Sequence, residues 1–194
     1  MTTALLPNPV SSPATTILTE AEFLTRHGDE SHIDLIDGVV VRYPMPGLKH
    51  GVVGVRFASR LLAYVDERKT GRVAINDTFV RVGTDPDRVR GADVLFLSHA
   101  KLPADAEIPD GVCPVAPEFV AEVKSPSDTW LNAFTKVLDY LDAGVRVVLV
   151  LDPGTKSASV FRADALQETF LAGSDLVIPD LFPGFAVPVA PLFQ

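Results

Sequence analysis

APEFVAEVKSPSD, residues 116–128, is the stretch on which the fold turns. In an extended chain successive side chains alternate faces, so Phe119, Ala121 and Val123 point one way while Glu118, Val120, Glu122 and Lys124 point the other. An acid and a base therefore share one face of an otherwise apolar strand. Two readings are open. An edge or half-solvated strand would carry the i, i+2 pair as a surface contact contributing about 0–1 kcal/mol. Alternatively, the strand lies in an active site, where the carboxylate holds a metal and the ammonium orients or deprotonates a water.

Downstream, Ser127 or Asp128 can cap a helix running to about Ala143, with Trp130, Phe134, Val137, Leu138 and Leu141 as its buried stripe and Gly144 as its end. VRVVLVLD (145–152) is almost wholly apolar, as expected of a strand covered on both faces. Strand, helix and strand in this order form a crossover unit and place the chain in the mixed α/β class. After it, SASVFRA, LQETFL and DLVIP suggest short strands before a Pro-rich tail.

Upstream, Thr19-Glu-Ala-Glu22 has the form of a capping box and opens a short helix that stops near Gly28. HIDLIDGVVVRY places Asp37-Gly38 between two β-rich runs, a strong hairpin signal. Lys49 to about Lys69 reads as a helix, with Val52, Val55, Leu62 and Val65 as its apolar repeat and Gly71 closing it. Strands follow at 72–82 and 92–98, then a loop over 99–117 marked by four prolines. The expected architecture is a central mixed β-sheet flanked by helices, preceded by an N-terminal helix and hairpin. Residues 1–18 read as a flexible leader and 19–194 as a single domain.

A chain of 194 residues suits one domain with a full core. The lone Cys113 excludes an internal disulfide and a cysteine-rich zinc site, and points to a reducing compartment. The first basic residue is Arg26, so the charged head of a signal peptide is missing, and no run approaches the length of a membrane span. The expectation is a cytoplasmic protein with no membrane partner. A net charge of −8 argues against a surface that coats nucleic acid broadly. The acids are concentrated at the two ends, however. Residues 31–162 hold 16 bases against 17 acids, which leaves room for a local basic groove.

Three segments offer polar side chains that can converge: Asp93 early in one strand, Glu122 and Lys124 in the next, and Lys136 on the following helix with Tyr140 four residues on. Only 28 residues separate Asp93 from Glu122, most of them in the Pro-rich loop, so their strands can pair side by side. Two carboxylates converging from adjacent strands suit a hard, oxygen-loving ion such as Mg²⁺ or Mn²⁺. No Ser-His-acid or Cys-His arrangement is evident, and His27, His32, His50 and His99 fall in unrelated contexts.

From about Asp34 to Pro153, the order DLIDG (34–38), His50, ADVLF (92–96), EVKSPSD (122–128), Lys136, Tyr140, AGV (143–145) and LVLDP (149–153) resembles the Uma-two family of restriction-endonuclease-like proteins, within the PD-(D/E)XK nuclease superfamily. The resemblance implies a restriction-endonuclease-like fold and a Mg²⁺- or Mn²⁺-dependent endonuclease that hydrolyses DNA phosphodiesters. It implies Asp93 and Glu122 as metal ligands, with the Val123 carbonyl completing the shell. Lys124 falls on the motif's lysine and Lys136 on the family's helix lysine, so either can fill the catalytic-lysine role. Tyr140 matches the helix tyrosine, and Asp34 the acid before the hairpin turn. His50 matches the histidine that opens the long helix. Ala92 stands where a proline usually precedes the aspartate, which leaves the ligands in place. The rival expectation is a catalytically silent binding or regulatory module of the same fold that contacts a protein partner. The resemblance, together with tail apolars Phe182, Phe185 and Phe193 read as exposed, implies a homodimer.

Overall fold

The structure is a computed structural model in which residues 16–126 and 128–194 are described. In chain order the elements are α1 (Glu20–His27), β1 (Ile33–Ile36), β2 (Val39–Arg42), α2 (Leu48–Arg68), β3 (Gly71–Gly83), β4 (Arg88–Ser98), β5 (Phe119–Val123), α3 (Trp130–Asp142), β6 (Val147–Asp152), β7 (Ser157–Phe161), β8 (Glu168–Phe170), β9 (Asp175–Val177), β10 (Ala186–Pro188) and α4 (Val189–Leu192).

Eight strands form one mixed sheet in the order β2-β1-β4-β5-β6-β7-β8, with β3 also paired to β4. The crossover expected from sequence is present: β5 and β6 are parallel, Phe119 opposite Val147, with α3 between them in the chain. β5 is thus a central strand between β4 and β6, and Glu122 is buried within it, so the edge-strand reading does not hold. The alternation on β5 decides which helix each side chain meets. Phe119, Ala121 and Val123 join the core under α2, with Val53, Phe57, Leu61 and Val65. Val120 faces the other way, into the core under α3 with Val137, Tyr140, Val148 and Val150. Glu122 shares that face, where α3 can reach it.

The first hairpin is as its sequence requires. Asp37 and Gly38 both have positive φ, 51° and 75°, and connect Ile36 to its cross-strand partner Val39. The Thr19 capping box also forms. Residues 1–15 of the sequence's leader lie outside the described residues. Leu18 is buried, and its N–H donates to the Gly38 carbonyl at 2.8 Å.

Several sequence expectations are corrected. On α2 the buried stripe is Val53, Phe57, Leu61 and Val65; Val55 and Leu62 face out. The actual stripe has the strict four-residue spacing, and the interleaved valines and leucines masked which set faced the sheet. On α3 only Val137, Asp139 and Tyr140 are buried, while Phe134 and Leu138 are exposed. The cap of α3 is Thr129, whose hydroxyl accepts from the Asn132 N–H at 3.2 Å, rather than Asp128; Ser127 lies outside the described residues.

The tail is not an exposed Pro-rich segment. It contributes the β9–β10 hairpin and α4. Phe182, Phe185 and Phe193 are 1%, 6% and 8% exposed, and Phe182 packs edge-on against Phe96 and Phe119. These rings close the core beneath α2, so they offer nothing to a second subunit.

Candidate functional site

β4 has two edges and three partners. β3 pairs along its whole length, so β1 (Leu35 opposite Val89) and β5 (Val94 opposite Ala121) share the other edge end to end. Where those two strands part, near Gly91 and Asp93, a cavity of about 390 Å³ opens. Asp34, His50, Asp93, Glu122, Lys124 and Lys136 all line it. The candidate residues, scattered over about a hundred positions, thus reach one place because two strands end there.

Glu122 is fixed from the α3 side. Lys136 Nζ donates to its Oε2 at 2.9 Å, and the Tyr140 hydroxyl donates to its Oε1 at 2.8 Å. The four-residue spacing on α3 puts both donors over the same carboxylate. Burial pushes the Glu122 carboxyl up, the Lys136 ammonium pulls it back, and Asp93 adds repulsion; the result is a pKa of about 7. Burial works against the Lys136 charge, but Glu122, Asp34 and Asp93 outweigh it and hold the ammonium above its usual value. The Tyr140 phenol is raised well above normal by burial and by the same acids, so it remains a donor.

Asp93 Oδ2 accepts from the Val123 N–H at 2.7 Å and lies 3.2 Å from His50 Nε2. Burial alone would raise Asp93, yet the His50 bond and charge and the Val123 N–H bring it below the ordinary range. Burial would likewise lower His50, but Asp93, Glu122 and Asp77 leave it raised, favouring an imidazolium.

Lys124 stands at the end of β5 and lines the cavity, but its ammonium forms no ion pair among the described residues. The partner of Glu122 is Lys136, so the i, i+2 contact between Glu122 and Lys124 is absent.

Asp34 sits on the floor of the cavity. Its Oδ2 accepts from Arg90 Nη1 at 2.7 Å and its Oδ1 from the Gly91 N–H at 2.9 Å. A Cβ on Gly91 would lie 3.2 Å from that of Asp77, so this close approach of β3 and β4 favours glycine.

Sequence reading missed several members of the site. Arg90, 4% exposed, also binds Asp139 and the Tyr43 hydroxyl. Burial and the neighbouring Asp34 raise the Tyr43 phenol to about 12. His32 and His50 stood in unrelated sequence contexts, His50 brought forward only by the family resemblance, yet both line the cavity. His32 Nδ1 is 3.2 Å from Asp77 Oδ2. Asp77 is aimed there by a bulge in β3, where Asn76 and Asp77 have φ of 71° and 55°. One sequence hint was the Asn-Asp pair interrupting an apolar strand. Arg90 offered a second, as a base flanked by residues that alternate into the core.

No group of three or more His, Cys, Asp and Glu side chains among the described residues is placed to hold a metal by itself. The donor chemistry nevertheless fits a hard divalent ion. Mg²⁺ commonly takes only one or two carboxylates and fills the rest of its shell with water and phosphate. Here two carboxylates line one cavity beside the Val123 backbone, and the acid left at about 7 by burial and Asp93 is one a cation would relieve.

Among solved structures, the chain is similar to a crystal structure titled as a putative nuclease belonging to DUF820 from Anabaena variabilis. The TM-score is 0.79 at 21% identity, covering 91% of this chain and 97% of that one. This likeness shows the restriction-endonuclease-like fold: a central mixed sheet with helices on both faces. No curated protein matches. The family model for Uma2, described as "Putative restriction endonuclease", matches residues 20–190, nearly the whole of the sheet and its helices, and on that match the chain belongs to the Uma2 family.

Proposed function

We propose that this protein is a Mg²⁺- or Mn²⁺-dependent endonuclease that hydrolyses phosphodiester bonds of DNA at the cavity between β1, β5 and α3. The observation that carries this reading is the meeting of Asp93 and Glu122 from neighbouring strands in one cavity, with lysines on two sides of it. Asp93, Glu122 and the Val123 carbonyl would hold the ion. When bound, it supplies Lewis-acid polarisation of the phosphate and a lowered pKa for a coordinated water.

The chain's own residues divide the remaining work. Lys136 and Tyr140 hold Glu122 and oppose the burial that would neutralise it. His50 and the Val123 N–H hold Asp93 ionised. Lys124, without an ion-pair partner among the described residues, is the lysine available to face the phosphate and offset the charge that builds in the transition state. Asp34 anchors the floor through Arg90 and Gly91. A single copy would nick one strand, and a homodimer would be needed to cut both. The cytoplasm, with its reduced thiols, is the compartment this reading assigns.

A silent binding module is the second reading. What favours it is that both oxygens of Glu122 are already bonded within the protein, so the site is satisfied without an ion. Plasmid nicking in Mg²⁺ tests the choice. The enzyme reading expects nicking by the wild type and its loss in Asp93→Asn; no nicking by either would favour the module.

A further inference from the structure

α3 delivers Lys136 and Tyr140 to Glu122, and it rests on the core through Val137 and Tyr140, with Trp130 and Leu141 packed beside them. Apolar packing can slide, however, and the remaining buried side chain of α3 is a carboxylate, Asp139, at 5% exposure, whose bonds are directional. That carboxylate is held at both oxygens by two arginines of β4. Arg88 Nη1 lies 2.8 Å from Oδ1, while Arg90 donates to Oδ2 from Nε at 2.8 Å and from Nη2 at 2.5 Å. Nε and Nη2 of Arg90 converge on the one oxygen and Arg88 takes the other, so the carboxylate is fixed from two sides by charge-assisted bonds. Arg90 in turn holds Asp34 on the cavity floor, so one cation ties β1, β4 and α3 together.

Asp139 lies three residues after Lys136 and one before Tyr140, and it does not line the cavity. A rotation or slide of α3 that freed Asp139 would move both donors off Glu122 together. We infer that Asp139 is a positioning residue that sets the register of α3 through Arg88 and Arg90, and so places Lys136 and Tyr140 on Glu122. This rests on the nuclease reading for its effect on turnover, but not for its effect on geometry.

The test uses the full-length chain carrying Asp139→Asn, which keeps the shape and removes the charge. Two measurements are made on each protein: the rate at which acetic anhydride acetylates Lys136, followed by peptide mass spectrometry, and the kcat and KM of plasmid nicking in Mg²⁺. In the wild type Lys136 should react slowly. In the variant its labelling should rise about ten-fold, and kcat should fall about ten-fold or more while KM stays level, the size usual for groups that orient an active-site ligand. A merely structural role would lower Tm and leave both readouts of the folded protein unchanged, and that result would overturn the inference. Should Asp139→Asn not fold, Arg88→Gln, which frees Asp139 Oδ1 and also gives up the 3.4 Å pair with exposed Asp37, carries the same two readouts, with Asp37→Asn as the control for that second pair. If the wild type does not nick at all, the nuclease reading falls, while the labelling contrast still decides the positioning role either way.

Discussion

Lys136 reaches across from α3 to sit 2.9 Å from the carboxylate of Glu122, so the base that partners this buried acid is fourteen residues away rather than two. The pairing separates two lysines that the sequence left equivalent, and their substitutions should behave differently.

Lys124→Met should leave Mn²⁺ binding near wild type and reduce nicking about a hundred-fold, the loss expected when one donor to a developing charge is removed. Lys136→Met should instead weaken metal binding at neutral pH, because Glu122 loses the cation that holds it ionised. Calorimetry and nicking on the two variants check this together. Equal behaviour of the two would contradict the division of roles.

The raised Glu122 pKa gives a pH signature. Its carboxyl titrates near 7 in the fold against 4.5 ordinarily, so the native state holds the proton more tightly. That stability is fully present below 4.5, declines as pH rises to 7, and is flat above. His50, also raised, contributes in the same direction, but its stability is lost as pH passes above 6.5. Asp93, lowered, acts only in the acid range near and below 3.8. Metal-free wild type should therefore lose more Tm between pH 5 and 7 than Glu122→Gln does. Parallel curves would count against the shift.

Mn²⁺ affinity should follow the same proton. It should strengthen as pH rises to 7 and then level, with about one proton released per ion below that point. Titration calorimetry in buffers of differing ionisation enthalpy measures the release directly.

Phe182→Ala should cost about 3–5 kcal/mol in urea unfolding, since its ring is 1% exposed and meets Phe96 and Phe119. A cost below about 1 kcal/mol would return the tail to the surface.

Gly38→Ala should cost about 1–3 kcal/mol. Its φ of 75° disfavours any side chain, and a Cβ there would come 2.5 Å from the Ile17 side chain. An unchanged urea midpoint would mean that the hairpin turn relaxes without loss.

Much of this molecule was readable from local signals. The Asp37-Gly38 turn, the Thr19 capping box and the apolar run of β6 each state their geometry within a few residues, and the crossover follows from their order. The family motif brought Asp93, Glu122 and Lys136 forward, and the fold brings all three to one cavity. What stayed hidden depends on contacts between distant segments. Arg90 meets Asp34 and Asp139 from 56 and 49 positions away, and neither spacing leaves a periodic trace. The tail phenylalanines read as exposed because prolines surround them, while the cavity under α2 that they fill exists only once the sheet is formed. On α3, the expected stripe holds at Val137, with Trp130 and Leu141 packed beside it, and fails at Phe134 and Leu138; the rest of the buried face is Asp139 and Tyr140, whose partners are on β4 and β5.

Mn²⁺ titrated calorimetrically into the wild type and into Glu122→Gln, with plasmid nicking on the same samples, tests the central claim most directly. Binding heat and nicking in the wild type, both lost in Glu122→Gln, are the predicted result. Absence of heat in the wild type up to millimolar ion would contradict it, leaving Glu122 and Lys136 as a structural ion pair within a binding module.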